Sequence, residues 1–104
     1  MFDFKQLQKM QQEIQEKMAK MQEELAHKTV EASSGGGVVT VKFNGNQEML
    51  SIKISPEAVD PDDIEMLEDL VLAAVNAGIA RSKELGEQNI ARITGGLKLP
   101  GLPF

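Results

Sequence analysis

The sequence contains no cysteine, no tryptophan and no tyrosine, and it has a single histidine. Without cysteine there is no disulfide, no thiolate metal site and no cysteine nucleophile. His27 alone cannot build a multi-histidine metal centre, so no metal cofactor is expected. Aromatic residues make up only 4% of the chain, all of them Phe. That leaves no platform of exposed rings on which single-stranded bases would stack. No apolar run approaches the roughly 18 residues of a membrane-crossing helix. Met1 to Glu13 also lacks the apolar stretch of a secretion signal, so a cytoplasmic protein is expected. What is present is ordinary for one small globular domain: 104 residues, 41% hydrophobic and 26% charged. The core has to come from Leu, Ile, Val, Ala and six Met.

The net charge of −5 is unevenly placed. Residues 1–30 and 31–54 are each neutral, 55–76 hold seven acids and no base, and 77–104 are net +2. An acidic total opposes a simple phosphate-binding protein unless its bases gather on one face.

Leu7, Met10, Ile14, Met18, Met21 and Leu25 recur every three or four residues, which predicts a helix over Phe4–His27. At 1.5 Å per residue it runs about 36 Å. Val38–Phe43 and Glu48–Ile54 alternate like strands, joined by Asn44-Gly45, a strong two-residue hairpin signal. Thr29–Ala32 is either a further short strand or a fraying helix end, and Ser33–Gly37 reads as a flexible connector. Asp60 is expected as the N-cap of a second helix with Pro61 at its first position and acids in its first turn. That helix should end or bend near Gly86 and resume to Ile93. The expected organisation is a single domain over 1–93 and a Gly/Pro/Leu-rich tail over 94–104.

The fold class is therefore α+β: α-β-β-β-α, with a three-stranded antiparallel sheet and a long projecting N-terminal helix. Both helices carry more apolar surface than one small sheet can cover, and a homodimer is the simplest closure. The small-residue set Leu70, Ala73, Ala74, Ala77 and Gly78 is the expected dimer contact, because small side chains let backbones approach closely.

No catalytic constellation emerges. His27 suits a helix C-terminus, the acids of 60–69 suit helix capping, and Gly35-Gly36-Gly37 lacks the Lys-Ser/Thr ending of a phosphate loop. No enzyme activity and no small-molecule substrate are expected. The Met-rich helix and the apolar tail would also suit a non-enzymatic protein–protein adaptor, which is the alternative reading. The remaining candidates are basic residues, and taken alone they read as a solvated helix face.

The order of the helix, Ser33-Ser34-Gly35-Gly36-Gly37, the Asn44-Gly45 hairpin and the run Pro56-Glu57-Ala58-Val59-Asp60-Pro61-Asp62-Asp63 through Ala77 resembles the YbaB/EbfC family. Thr94-Gly95-Gly96-Leu97 with Leu99-Pro100-Gly101 resembles that family's ending. The resemblance implies a bacterial nucleoid-associated homodimer, shaped like tweezers, that binds double-stranded DNA in the nucleoid. It places the DNA contact on the helices, at Lys5, Lys9, Lys17 and Lys20, with Arg81, Lys83 and Arg92 as second choices. Because Glu residues alternate with these lysines, binding is expected to be salt-dependent with little base readout.

Overall fold

The computed structural model describes residues 3–94. Its elements are α1 (Phe4–His27), β1 (Thr29–Ser34), β2 (Val39–Asn44), β3 (Met49–Ile54), a short 3-10 turn (Pro56–Ala58) and α2 (Ile64–Thr94). The three strands form one antiparallel sheet in the order β1-β2-β3. Among the described residues no helix is long and apolar enough to cross a membrane.

Alternation decides which face of the sheet is covered. Val39, Val41 and Phe43 point to one side of β2 and are buried, together with Ala32 of β1 and Ala74 of α2. Val30 lies opposite Phe43 and Ala32 opposite Val41, so β1 and β2 present one continuous apolar face. α2 packs on that face and reaches β1 and β2. All six residues of β3 remain exposed, although Ile52 and Ile54 stand opposite Val41 and Val39 on the same side.

α2 runs antiparallel to β1, as its hydrogen bonds and packing show. The Ser34 hydroxyl donates to the Leu70 carbonyl at 2.6 Å. One helical stretch later, Gly78 lies against Phe43 and Val41. The Ser82 hydroxyl then donates to the Asn44 carbonyl at 2.6 Å and accepts the Gln47 N–H at 2.9 Å. Finally the Lys28 ammonium donates to Asn89 Oδ1 at 3.2 Å. Ser82 is fully buried, and both of its bonds satisfy backbone groups of the β2–β3 hairpin.

α1 joins the body only at its C-terminal end. Leu25 is its one buried residue, and Gly45 N–H donates to the Leu25 carbonyl at 2.8 Å. The remaining turns, back to Phe4, project from the body with their apolar stripe exposed. The molecule is accordingly elongated, 71 × 24 × 18 Å.

One open local expectation is settled and four are corrected. Thr29–Ala32 is strand, and it extends to Ser34. The Ser33–Gly37 segment is no loose connector: Ser33 and Ser34 pair with β2, and Gly35, Gly36 and Gly37 make the turn with φ of 59°, 74° and 98°. Three successive left-handed residues need glycine, and a Cβ at Gly35 would also stand 2.7 Å from Leu70 Cδ2. The second hairpin is longer than two residues. Asn44 Oδ1 accepts the N–H groups of Asn46 and Glu48 at 2.9 and 3.1 Å, and the positive φ falls on Gln47. The N-cap of α2 is Asp63, whose Oδ1 accepts the Met66 N–H at 3.2 Å, while Asp60 Oδ1 accepts the Asp62 N–H in a preceding turn. α2 then continues unbroken through Gly86 to Thr94.

Candidate nucleic-acid interface

The basic residues named above fall into three settings. Lys5, Lys9, Lys17 and Lys20 are all exposed on the projecting length of α1. At about 100° per residue, Lys5, Lys9 and Lys20 stand opposite the apolar stripe, and Lys17 flanks it beside Met10. Charge is not uniform along this helix. Phe4–Gln12 carries Lys5 and Lys9 and no acid, whereas Glu13–His27 carries four Glu against Lys17 and Lys20. The distal end is thus the basic end. Lys5 and Lys9 there line a shallow surface depression with Gln8, Gln11, Gln12 and Gln15. Two ammonium groups one turn apart, among primary amides, offer donors to a row of phosphate oxygens.

The second setting is α2. The Arg81 guanidinium donates to the Glu31 carbonyl of β1, so this residue ties helix to sheet. Lys83 is exposed and shares a shallow surface with Leu25, Asn46 and Ile90 near the root of α1. Arg92 lies in the last turns of α2. Arg81 is thus held at β1 and Lys83 near the root of α1, so the structure does not bring these two beside Lys5 and Lys9.

The third setting is one that the helix-centred reading passed over. Lys42 and Lys53 lie on the sheet face away from α2, because their neighbours Val41 and Ile52 face the helix. Lys42 stands opposite Glu31 and Ser51, and Lys53 opposite Thr40. The signal was available in the strand alternation, which puts lysine and hydroxyl side chains together on one face.

Of the expected dimer residues, Ala74 has no exposed surface in the single chain, and Gly78 is closed over by Phe43 and Val41. These two serve the packing of α2 on its own sheet, where small residues allow close approach. Leu70 and Ala77 are half-buried, and Ala73 is exposed.

Asp60 and Asp63 are engaged in backbone capping, and among the described residues no group of His, Asp and Glu is placed to hold a metal ion.

Comparison with known proteins agrees with this architecture. A crystal structure of an uncharacterized protein from Helicobacter pylori superimposes with a TM-score of 0.78 at 26% identity, covering 92% of this chain and all of that one. A nucleoid-associated protein of Syntrophobacter fumaroxidans is 60% identical over 89 residues, 86% of this chain and 81% of that protein. Another, from Thermoanaerobacter pseudethanolicus, is 52% identical over 101 residues, 97% of this chain and 91% of its own. The YbaB/EbfC DNA-binding family model matches residues 1–97, and the chain belongs to that family.

Proposed function

We propose that the chain is a non-enzymatic, nucleoid-associated protein of the bacterial cytoplasm that binds double-stranded DNA as a homodimer, with low sequence specificity, and alters DNA conformation, nucleoid organisation or gene expression. The observation that carries this reading is the distal end of α1. It projects free of the body, carries Lys5 and Lys9 without an acid between Phe4 and Gln12, and is surrounded by glutamines. Lysine ammonium groups neutralise phosphates without reading bases, which accounts for low specificity. The whole-molecule charge of −5 opposes DNA, so attraction has to act locally, within a Debye length of about 10 Å at 0.1 M salt. The test is duplex affinity measured against salt. A steep fall between low and moderate salt, similar for unrelated sequences, is the expected result. No binding at low salt removes the reading.

The dimer rests on β3. Its Ile52 and Ile54 continue the apolar face of β2 and stay 39% and 42% exposed in the single chain. Helical spacing puts Leu72, Val75 and Ile79 on the flank of α2 nearest β3, the flank from which Ser82 meets Gln47. Together these residues form an apolar step whose natural cover is the same step of a second copy. The expected outcome in sedimentation is a particle of twice the 11.4 kDa chain mass. Ile52→Glu should return it to the single-chain mass with the helical circular dichroism retained, since Ile52 is exposed in the single chain.

A further inference from the structure

Asn44-Gly45 carries a chemical liability as well as a turn. In any peptide chain a backbone nitrogen can attack the side-chain amide of a preceding Asn. The attack is fastest when glycine follows, because glycine has no side chain to hinder the approach. The other Asn residues, Asn46, Asn76 and Asn89, precede Gln47, Ala77 and Ile90. Asn44 is therefore the position of the sequence most prone to this reaction.

The fold demands this pair and also closes it. Glycine is required at 45 because a Cβ there would stand 2.6 Å from Leu25 Cδ2 and 3.0 Å from the Leu25 carbonyl oxygen. Asn is required at 44 because its amide organises the loop. Its Oδ1 accepts the N–H groups of Asn46 and Glu48, and its Nδ2 donates to Glu48 Oε1 at 2.9 Å. The reacting atoms are held by the same contacts. The Gly45 nitrogen must lose its proton to attack, and that N–H donates to the carbonyls of both Leu25, at 2.8 Å, and Lys28, at 3.1 Å. The Asn44 amide cannot turn without giving up its hydrogen bonds, and the residue is buried. Leu25 and Lys28 are the end of α1, whose one buried residue is Leu25. This last turn can therefore lift while the sheet and α2 stay packed, as local openings do in folded proteins.

The geometry points to a latent deamidation site at Asn44 that the docked root of α1 holds closed. When the root lifts, the Gly45 nitrogen gives its proton to solvent and bonds to Asn44 Cγ. The bond from Cγ to Nδ2 breaks, and Nδ2 takes a proton from solvent and leaves as ammonia. One water then opens the cyclic imide at either carbonyl, giving aspartate or its isoaspartyl isomer. No oxidant or reductant is consumed. Neither product fits the site. A carboxylate at 44 has no donor for Glu48 Oε1 and places two negative groups where an amide and a carboxylate had paired. The isoaspartyl form adds a methylene to the main chain at the end of β2. Either change spoils the loop on which α1 docks, so redocking does not reverse it. The lifetime of the arm's seat is thus set by how often the root of α1 opens.

The test follows the exchange of amide for acid at Asn44 by peptide mass spectrometry, on the full chain in mildly alkaline buffer with and without urea. The folded chain is expected to react at least about tenfold more slowly than the chain unfolded in urea. Equal rates overturn the proposal, and this comparison needs no variant to fold. Two matched substitutions then locate the lock. Glu23→Gly and Glu68→Gly each put glycine at an exposed helical position, one near the root of α1 and one in α2. Each removes the same charge and the same helix propensity and leaves the Asn-Gly pair intact. Glu23→Gly is expected to speed deamidation by about fivefold, and Glu68→Gly to change it by less than about twofold. Equal acceleration by both overturns the proposal, because the reacting state is then the wholly unfolded chain. No acceleration by Glu23→Gly overturns it as well. DNA binding is not part of any readout, so a failure here is distinct from a failure of the DNA reading.

Discussion

Gly78→Ala is expected to lower the unfolding free energy by about 1–2 kcal/mol, and Gly78→Val by more than about 3 kcal/mol, while Gly86→Ala raises it by about 0.5–1 kcal/mol. Both sites lie inside one continuous helix, where replacing Gly by Ala normally stabilises by restricting the unfolded backbone. The surroundings reverse the sign at Gly78. A Cβ there would stand 2.5 Å from both Cδ2 and Cε2 of Phe43 and 2.9 Å from Val41 Cγ2. Neither neighbour can yield easily. Phe43 is held between Val30 and Met49 on the flanking strands, and Val41 is fully buried. Relief requires the helix to lift from the sheet, which separates the rest of the core. At Gly86 the nearest atom to an added Cβ is the Gly45 carbonyl oxygen at 3.5 Å, an ordinary separation, so the helix propensity gain survives. Urea unfolding followed by circular dichroism reads the midpoint of each variant. An unchanged slope against urea shows that the difference lies in the native packing. A stabilised Gly78→Ala chain would mean that the close packing of α2 on β2 is not as described.

The same glycines show how far the sequence could be read and where it stopped. α1 was legible over its whole length because its 3.6-residue period is uninterrupted from Leu7 to Leu25. β2 and β3 were legible from alternation. Features decided by distant residues were not. The Asn44-Gly45 pair signals a tight turn, yet Gly45 is there because a Cβ would meet Leu25 Cδ2 at 2.6 Å, and Asn44 spends its side chain on a longer loop. Asp60, Asp62 and Asp63 are equally good N-caps by type. The 3-10 turn at Pro56–Ala58, with Ala58 in the core, selects the last of them. The small residues of α2 were read as surface for a partner, but a helix lying close on its own sheet needs the same residues, and Ala74 and Gly78 serve that packing. In the candidate site, each lysine was visible by type. Its setting depended on which stretch of α1 projects and which face of the sheet α2 leaves bare.

The second large effect concerns that setting. Lys5→Gln together with Lys9→Gln should reduce duplex affinity at low salt by about a hundredfold or more. The log–log salt dependence should flatten by roughly 0.9 for each phosphate no longer neutralised, about four of them in a dimer. Lys17→Gln with Lys20→Gln removes the same formal charge but should cost less than about tenfold. The difference follows from the neighbours. Lys17 and Lys20 share their stretch of helix with Glu13, Glu16, Glu23 and Glu24, whose fields already cancel much of their attraction for a polyanion. Glu13 and Glu16 stand one turn before Lys17 and Lys20, the spacing at which opposite charges pair on a helix surface. Around Lys5 and Lys9 the acids are fewer, Asp3 before Lys5 and Glu13 one turn beyond Lys9, and their polar neighbours are otherwise glutamines. Gln matches Lys closely in helix propensity, so neither double variant should unfold the arm. Binding to several unrelated duplexes should weaken by the same factor, because phosphate contacts do not depend on sequence. Equal losses of affinity for the two pairs would spread the interface along the whole helix. A loss confined to one duplex sequence would mean that the arm reads bases, which two lysines and a row of glutamine amides achieve only if they enter a groove.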